Sequence, residues 1–184
     1  MMDAESALAG RIARERGARR WSLATLAERS GVSRSMLSKI ERCEASPTAA
    51  VLLKIASALS LTLAELLTEP AARNARFLAA CDQPAWTDPG SGYLRRQVYL
   101  SPALPLELVE VSLPAGARVA APAASYAFIK QVLWVLEETV TIFENGAPTV
   151  LRAGDRLQFG PPSDVVFENG GQKPCRYMVA VLRG

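Results

Sequence analysis

The stretch from Trp21 to Thr48 constrains the fold most, because its turn signals leave room only for two short helices in close succession. Ser22 stands just before Leu23, Leu26 and Ala27, and a serine there caps a helix by accepting a bond from a first-turn amide. Gly31 must end that helix, since it alone reaches the left-handed conformation without strain. Ser33 then caps a second helix, in which Val32, Leu37 and Ile40 share one face while Arg34, Ser35, Ser38 and Lys39 lie on others. Ser46-Pro47 predicts the opening of another helix, a cap followed by proline at the first helical position. Val51, Leu52, Ile55 and Leu59 give that helix its apolar stripe, and Leu61–Leu67 reads as a last short one. Residues 5–69 as a whole are helical in pattern, about five helices in all.

Charge adds a second signal. From Arg11 to Arg42 nine cations (Arg11, Arg14, Arg16, Arg19, Arg20, Arg29, Arg34, Lys39 and Arg42) stand against Glu15, Glu28 and Glu41, in a chain whose net charge is only +3. A concentrated basic patch is the footprint of a polyanionic partner. Read by charge alone, it is equally a solvated helix face.

Two short helices about a glycine turn are the geometry of a helix–turn–helix. The segment WSLATLAERSGVSRSMLSKIERCEASPT, residues 21–48, resembles the DNA-binding domain of the Cro/phage-repressor-like (XRE) regulators, with the match running over about residues 8–68. The resemblance implies double-stranded DNA as partner. It implies that the second helix of the motif enters the major groove. Ser33, Arg34, Ser35, Ser38 and Lys39 would then reach base edges, with Arg34 placed for a bidentate contact to guanine. Ser22, Arg42, Ser46 and Thr48, with the amides near Ser46–Ala49, would hold phosphates. Two departures stand out. Leu23 replaces a glutamine that many relatives use on a phosphate, and Cys43 replaces a glycine that ends the recognition helix. Cys43 must therefore take a positive φ or end the helix otherwise.

Residues 91–184 read differently. Short runs of Val, Leu, Phe and Tyr alternate or cluster between Pro, Gly and Asn-Gly. Strands are expected near Tyr93–Leu100, Leu106–Leu113, Val132–Leu136, Thr139–Phe143, Thr149–Leu151, Arg156–Phe159, Asp164–Phe167 and Cys175–Leu182. Asn145-Gly146 signals a hairpin. About eight short strands suit a double-sheet jelly roll or small barrel. Leu113-Pro-Ala-Gly-Ala-Arg118, Leu151-Arg-Ala-Gly-Asp155, Pro161-Pro162 and Phe167-Glu-Asn169 resemble a cupin. The fold class expected is α+β and multidomain. A helix–turn–helix bundle occupies residues 1–69, a linker 70–90 with a short helix near Ala72–Ala80, and a cupin-like jelly-roll barrel 91–184.

Cupin enzymes hold a metal with three histidines and a glutamate. This chain has no histidine at all, which also removes Ser-His-Asp and Cys-His catalysis. Aligned on the motif, the histidine positions fall near Ala124–Tyr126 and at Val165, and the glutamate position is Gln131. No metal, no cofactor and no enzymatic activity are expected. The barrel is expected instead to bind a small, uncharged or singly charged organic effector through Tyr126, Gln131, Arg95 and Arg118. Trp134 and Tyr177 read as core or interface residues.

Two functions follow from the pattern. One is a ligand-responsive transcriptional regulator, with the linker passing the signal. The other is a DNA-binding protein whose barrel only dimerises. A cupin-type enzyme tethered to DNA is disfavoured by the missing ligands. A homodimer is expected, because one such head makes a small DNA interface, with the barrel near Val109–Leu113 as contact surface. The unpaired set Cys43, Cys81 and Cys175, the acidic start of the chain and the lack of an apolar run of about 18 residues suggest a cytoplasmic protein without membrane contact.

Overall fold

The computed structural model describes residues 4–68 and 75–183. Helices come first: α1 Ala4–Ala18, α2 Leu23–Ser30, α3 Arg34–Glu41, α4 Ala49–Ala58 and α5 Leu63–Leu67. The caps read from the sequence are in place. Ser22 Oγ accepts from the Thr25 amide at 3.1 Å and Ser33 Oγ from the Met36 amide at 3.2 Å. Gly31 closes α2 with φ 65°, its N–H donating to Ala27 O. Cys43 follows α3 with φ 58°, so a side-chain residue occupies the left-handed position after the helix. Such a conformation costs a non-glycine residue roughly 1–2 kcal/mol.

One cap differs from expectation. The residue before α4 is Thr48, not Ser46, so Pro47 precedes the helix rather than opening it. Thr48 makes no side-chain cap bond. The Ala49 amide donates instead to Asp88 Oδ1 at 2.7 Å, from a residue thirty-nine positions onward. A helix end leaves amides that need acceptors, and here a carboxylate from the second half supplies one.

Ten strands follow among the described residues. They are β1 Ala85–Thr87, β2 Leu94–Ser101, β3 Leu104–Leu113, β4 Arg118–Ala121, β5 Ile129–Glu137, β6 Thr139–Glu144, β7 Ala147–Arg152, β8 Arg156–Gln158, β9 Val165–Glu168 and β10 Cys175–Arg183. They form a six-stranded sheet, β1-β2-β3-β10-β5-β8, and a four-stranded sheet, β4-β9-β6-β7. Asn145 (φ 49°) and Gly146 (φ 84°) make the β6–β7 hairpin turn, as two successive positive φ values require. Strands β1 and β4 were not expected; both are short, and β4 carries a run of alanines with little β-character. Of the helix expected near Ala72–Ala80, residues 72–74 lie outside the described residues. Residues 75–79 are not helical, and a single 3₁₀ turn covers Ala80–Asp82.

Each half has its own core. Leu26, Leu37, Leu52, Ile55 and Leu59 are fully buried in the helical head, and Val109, Leu113, Leu133, Val135 and Ile142 between the two sheets. Trp86 on β1 packs against both cores and Ala49 belongs to the second, so the segment read as linker ends as part of the head–sheet junction. No helix among the described residues is long and apolar enough to cross a membrane.

Candidate DNA interface and barrel cavity

The helix–turn–helix face is built on a fixed α3. Arg16 on α1 clamps Glu41, the last residue of α3, with two bonds of 2.7 Å, and donates a third to Trp21 O at 2.9 Å. Such planar, bidentate pairing fixes geometry as well as energy. Several other cations in the basic patch also serve the fold. Arg11 and Arg19 both pair with Glu15, at 2.8 and 2.6 Å. Arg29 lies over the Trp21 ring at 4.5 Å. The charge count thus overstates the free patch. What remains outward is the start of α3: Ser33, Arg34, Ser35 and Lys39 are exposed, and Ser38 is half-buried. Among the described residues Arg34 and Lys39 have no ion-pair partner.

Of the four residues expected at phosphates, Ser22 is exposed and Arg42 is exposed but paired with Glu44 at 2.9 Å. Ser46 donates its hydroxyl to Glu5, and Thr48 is half-buried at the head of α4. The Ala49 amide is held by Asp88, so that donor is unavailable to a phosphate.

A cavity of about 90 Å³ lies where the head meets the barrel. Its barrel side includes Tyr93, Arg95, Glu107, Gln131 and Tyr177, and its other side Ala49, Leu53, Ser57, Leu61 and Leu63 from the head. Strand parity puts these groups inward: Tyr93 and Arg95 alternate along β2's approach, and Glu107 shares the face of Val109, Val111 and Leu113 on β3. A row of rings runs behind them, Tyr126–Phe159–Phe167–Tyr177, with centroids 5.9–6.1 Å apart, the outer two pairs stacked and the middle pair tilted.

The cavity brings together polar atoms that the chain does not satisfy. Arg95 Nε, Glu107 Oε2, Ser125 Oγ and Gln131 Nε2 are buried without a hydrogen-bond partner. Buried groups are ordinarily paired, so four such atoms around one space mark it as a place for a polar occupant. Glu107 is wholly buried. Its Oε1 accepts from Thr62 Oγ1 at 2.7 Å, and Arg183 Nε lies 3.6 Å away. Burial raises the Glu107 pKa, the Thr62 bond and the Arg95 charge opposing. Burial likewise raises the Tyr126 and Tyr177 hydroxyls, and pushes the Cys175 thiol up to about 11.

Three of the four residues expected at the effector, Tyr126, Gln131 and Arg95, line this cavity. Arg118 does not. It pairs with Glu168 at 3.4 Å and lies over the Phe143 ring, facing away from the cavity. Its position at the start of β4, on the outward parity opposite Val119, explains the difference. A buried carboxylate, Glu107, borders the cavity together with Arg95. Glu107 was not singled out from the sequence, although its alternation with Val109 and Val111 carried the signal. Thr62 and Asp88 had none, because their roles depend on contacts between the two halves. Trp134 is exposed on the outer face of the six-stranded sheet, while Tyr177 is both core and cavity wall.

Comparison with known proteins completes the picture. Residues 11–66 match the helix-turn-helix family model HTH_3. Residues 11–66 form an XRE-type helix–turn–helix. The chain is 27% identical over 161 residues to the HTH-type transcriptional regulator SutR of Escherichia coli (strain K12), covering 86% of this chain and 85% of that one. Its fold matches a crystal structure of an HTH_3 family transcriptional regulator from Vibrio cholerae with a TM-score of 0.82 and 22% identity, over 98% of this chain and 97% of that chain. The chain thus carries a helix-turn-helix head of the HTH_3 type, followed by a domain of two β-sheets. The positions that the resemblance aligns with a cupin's metal ligands hold Ala124–Tyr126, Gln131 and Val165, and Val165 is buried. Among the described residues no group of three His, Cys, Asp or Glu side chains gathers. These residues do not fit a divalent metal.

Proposed function

We propose that this regulator binds specific double-stranded DNA through α3 as a cytoplasmic homodimer, and releases or grips it in response to a small organic effector held in the barrel cavity. What carries the sensor reading is the set of unpaired buried polar atoms on Arg95, Glu107, Ser125 and Gln131 around one space. A barrel that served only to dimerise would gain by filling that space with apolar side chains.

In this reading Ser33, Arg34, Ser35, Ser38 and Lys39 reach base edges, and Ser22 and Arg42 contact phosphate. Tyr126, Gln131 and Arg95 orient the effector. No reaction is assigned to the barrel, since the cupin metal positions lack ligating groups and the chain has no histidine.

The dimer contact is placed on the outer face of the six-stranded sheet. Val109, Val111 and Leu113, expected there, point into the core instead. The outward parity carries Leu106 and Leu108 on β3, Met178, Ala180 and Leu182 on β10, and Val132 and Trp134 on β5, paired in register. Trp134 and Leu182 are 53% and 48% exposed. A second copy, related by two-fold symmetry, would cover this face and set two α3 helices about 34 Å apart on one side of DNA.

The test is a melting-temperature screen against small metabolites, with elemental analysis of protein purified without chelator. At least one metabolite should stabilise the protein, and the double variant Gln131→Leu with Tyr126→Phe should lose that stabilisation. Stoichiometric zinc, iron or nickel would overturn the metal-free reading. Absence of any stabiliser sensitive to the double variant would return the barrel to a dimerisation role.

A further inference from the structure

Resting on that sensor reading, we propose that the cavity takes a compact amphoteric molecule, an ammonium and a carboxylate on one small skeleton, at a site that the DNA-binding head itself completes. The unmatched groups come in two kinds. Glu107 Oε2 is a buried acceptor without a donor, in a residue with no exposed surface. Arg95 Nε and Gln131 Nε2 are buried donors without an acceptor. An anion alone would answer Arg95 and Gln131 but would face Glu107. A cation alone would answer Glu107 and leave both donors bare. A molecule with both ends answers all three. Size bounds the skeleton: cavities of about 150 Å³ hold benzene, and this one is about 90 Å³. The small α-amino acids are of that class and scale.

The site is also shared between the two halves. Glu107 Oε1 accepts from Thr62 Oγ1, the N-cap of α5, and the same hydroxyl accepts the Glu65 amide at 3.1 Å. Glu65 Oε2 accepts the Thr62 amide at 2.9 Å, and Glu65 Oε1 accepts Arg183 at 2.8 Å. Thr62, Glu65, Arg183 and Glu107 thus form one network across the junction. A ligand that draws on Glu107 acts on the cap of α5. One larger than the cavity displaces Leu61 and Leu63 from its head-side wall. Either changes how the head sits on the barrel. A ligand shifts an equilibrium only by its differential affinity for two arrangements, and a wall supplied by the moving part provides that difference.

The experiment uses the full chain and measures binding by calorimetry and melting shift for glycine, L-alanine and L-serine, with acetate, propionate and ethanolamine as single-ended controls. At least one amino acid should bind about tenfold or more tighter than its controls. Glu107→Gln, which keeps shape and fold, should remove that preference for the ammonium. Arg95→Gln should bring the amino acid and ethanolamine to similar affinity. Thr62→Val should weaken amino-acid binding and reduce the ligand's effect on affinity for a duplex selected from a random library, and Thr62→Ser should restore both. Acetate or ethanolamine binding as tightly as the amino acids, no binding by any amino acid, or a Glu107→Gln protein that binds them unchanged would overturn the proposal. The sensor reading fails separately. If the broader screen finds an effector lost in Gln131→Leu with Tyr126→Phe but not amphoteric, only the ligand class falls. If no such effector exists, both fall.

Discussion

The two halves bury different chemistry. In the head, the residues between α1 and α5 that vanish from solvent are aliphatic, and its buried Ser30 donates to Leu26 O at 2.6 Å. In the jelly roll, Asp88, Gln97, Glu107, Gln131 and Asn169 are buried, and several of their polar atoms are unmatched. Asp88 and Asn169 are the exceptions there: Asp88 accepts from the Ala49 and Ser91 amides, and the Asn169 amide donates to Leu113 O and Lys173 O while its oxygen accepts from Gly171. The head's apolar core is closed, with Arg11 Nε as an unmatched buried donor at its edge, and in the proposed reading its work is done outside, by exposed side chains on α3. The barrel is left unfinished inside, where a partner can complete it. Satisfied cores resist change and unsatisfied ones invite ligands.

The largest way to break this comparison is at the two interiors themselves. Leu37→Ala should cost about 2–5 kcal/mol of stability, because it opens a cavity in a sealed core beneath the recognition helix. Gln131→Leu in the barrel should be neutral or stabilising, since it removes an unpaired buried donor. Urea unfolding of both variants measures the contrast. A large loss from Gln131→Leu would mean the barrel interior is as finished as the head.

A middle-sized effect is expected on the outer surface of the head. Arg34→Ala should cost about 1–3 kcal/mol on the selected duplex and relax one base pair, with stability unchanged within about 0.5 kcal/mol. Arg42→Ala should weaken binding to all sequences and lower the salt slope by about one. Equal losses on every sequence from both would remove Arg34 from base reading.

The smallest effect is graded with pH. Burial raises the Glu107 pKa in the folded chain, with Thr62, Arg95 and Arg183 facing it and opposing, and Glu65 facing it and adding to the rise. The stability this group contributes is full below the unfolded carboxyl value, about 4.3, and is lost as pH rises through the folded value. Melting temperature of wild type relative to Glu107→Gln should therefore fall as pH rises above the unfolded carboxyl value, about 4.3. A constant difference across that range would show that Glu107 is already satisfied.

Much of this was legible in the sequence, for reasons that are local. Ser22, Gly31 and Ser33 announce the helix–turn–helix because caps and left-handed turns are decided within four residues. Asn145-Gly146 announces a hairpin for the same reason. Gln131 and Tyr126 were found by resemblance to the cupin pattern. What escaped depends on distance. Asp88 capping α4, Thr62 bonding Glu107 and Arg183 reaching Glu65 join residues 39, 45 and 118 positions apart. No period or turn signal encodes such pairs. Arg118 was misplaced because an arginine beside a turn reads alike whether it faces inward or outward, and β4 was too short to reveal its parity.

The link between cavity and DNA is tested most directly by titrating the strongest stabiliser from the metabolite screen into the complex of the full chain with its selected duplex. Wild-type affinity for DNA should change by about fivefold or more, the scale of typical allosteric coupling, while the Gln131→Leu, Tyr126→Phe protein should bind the same duplex with no change. An unchanged wild-type affinity at saturating ligand, or an identical response in the double variant, would contradict it.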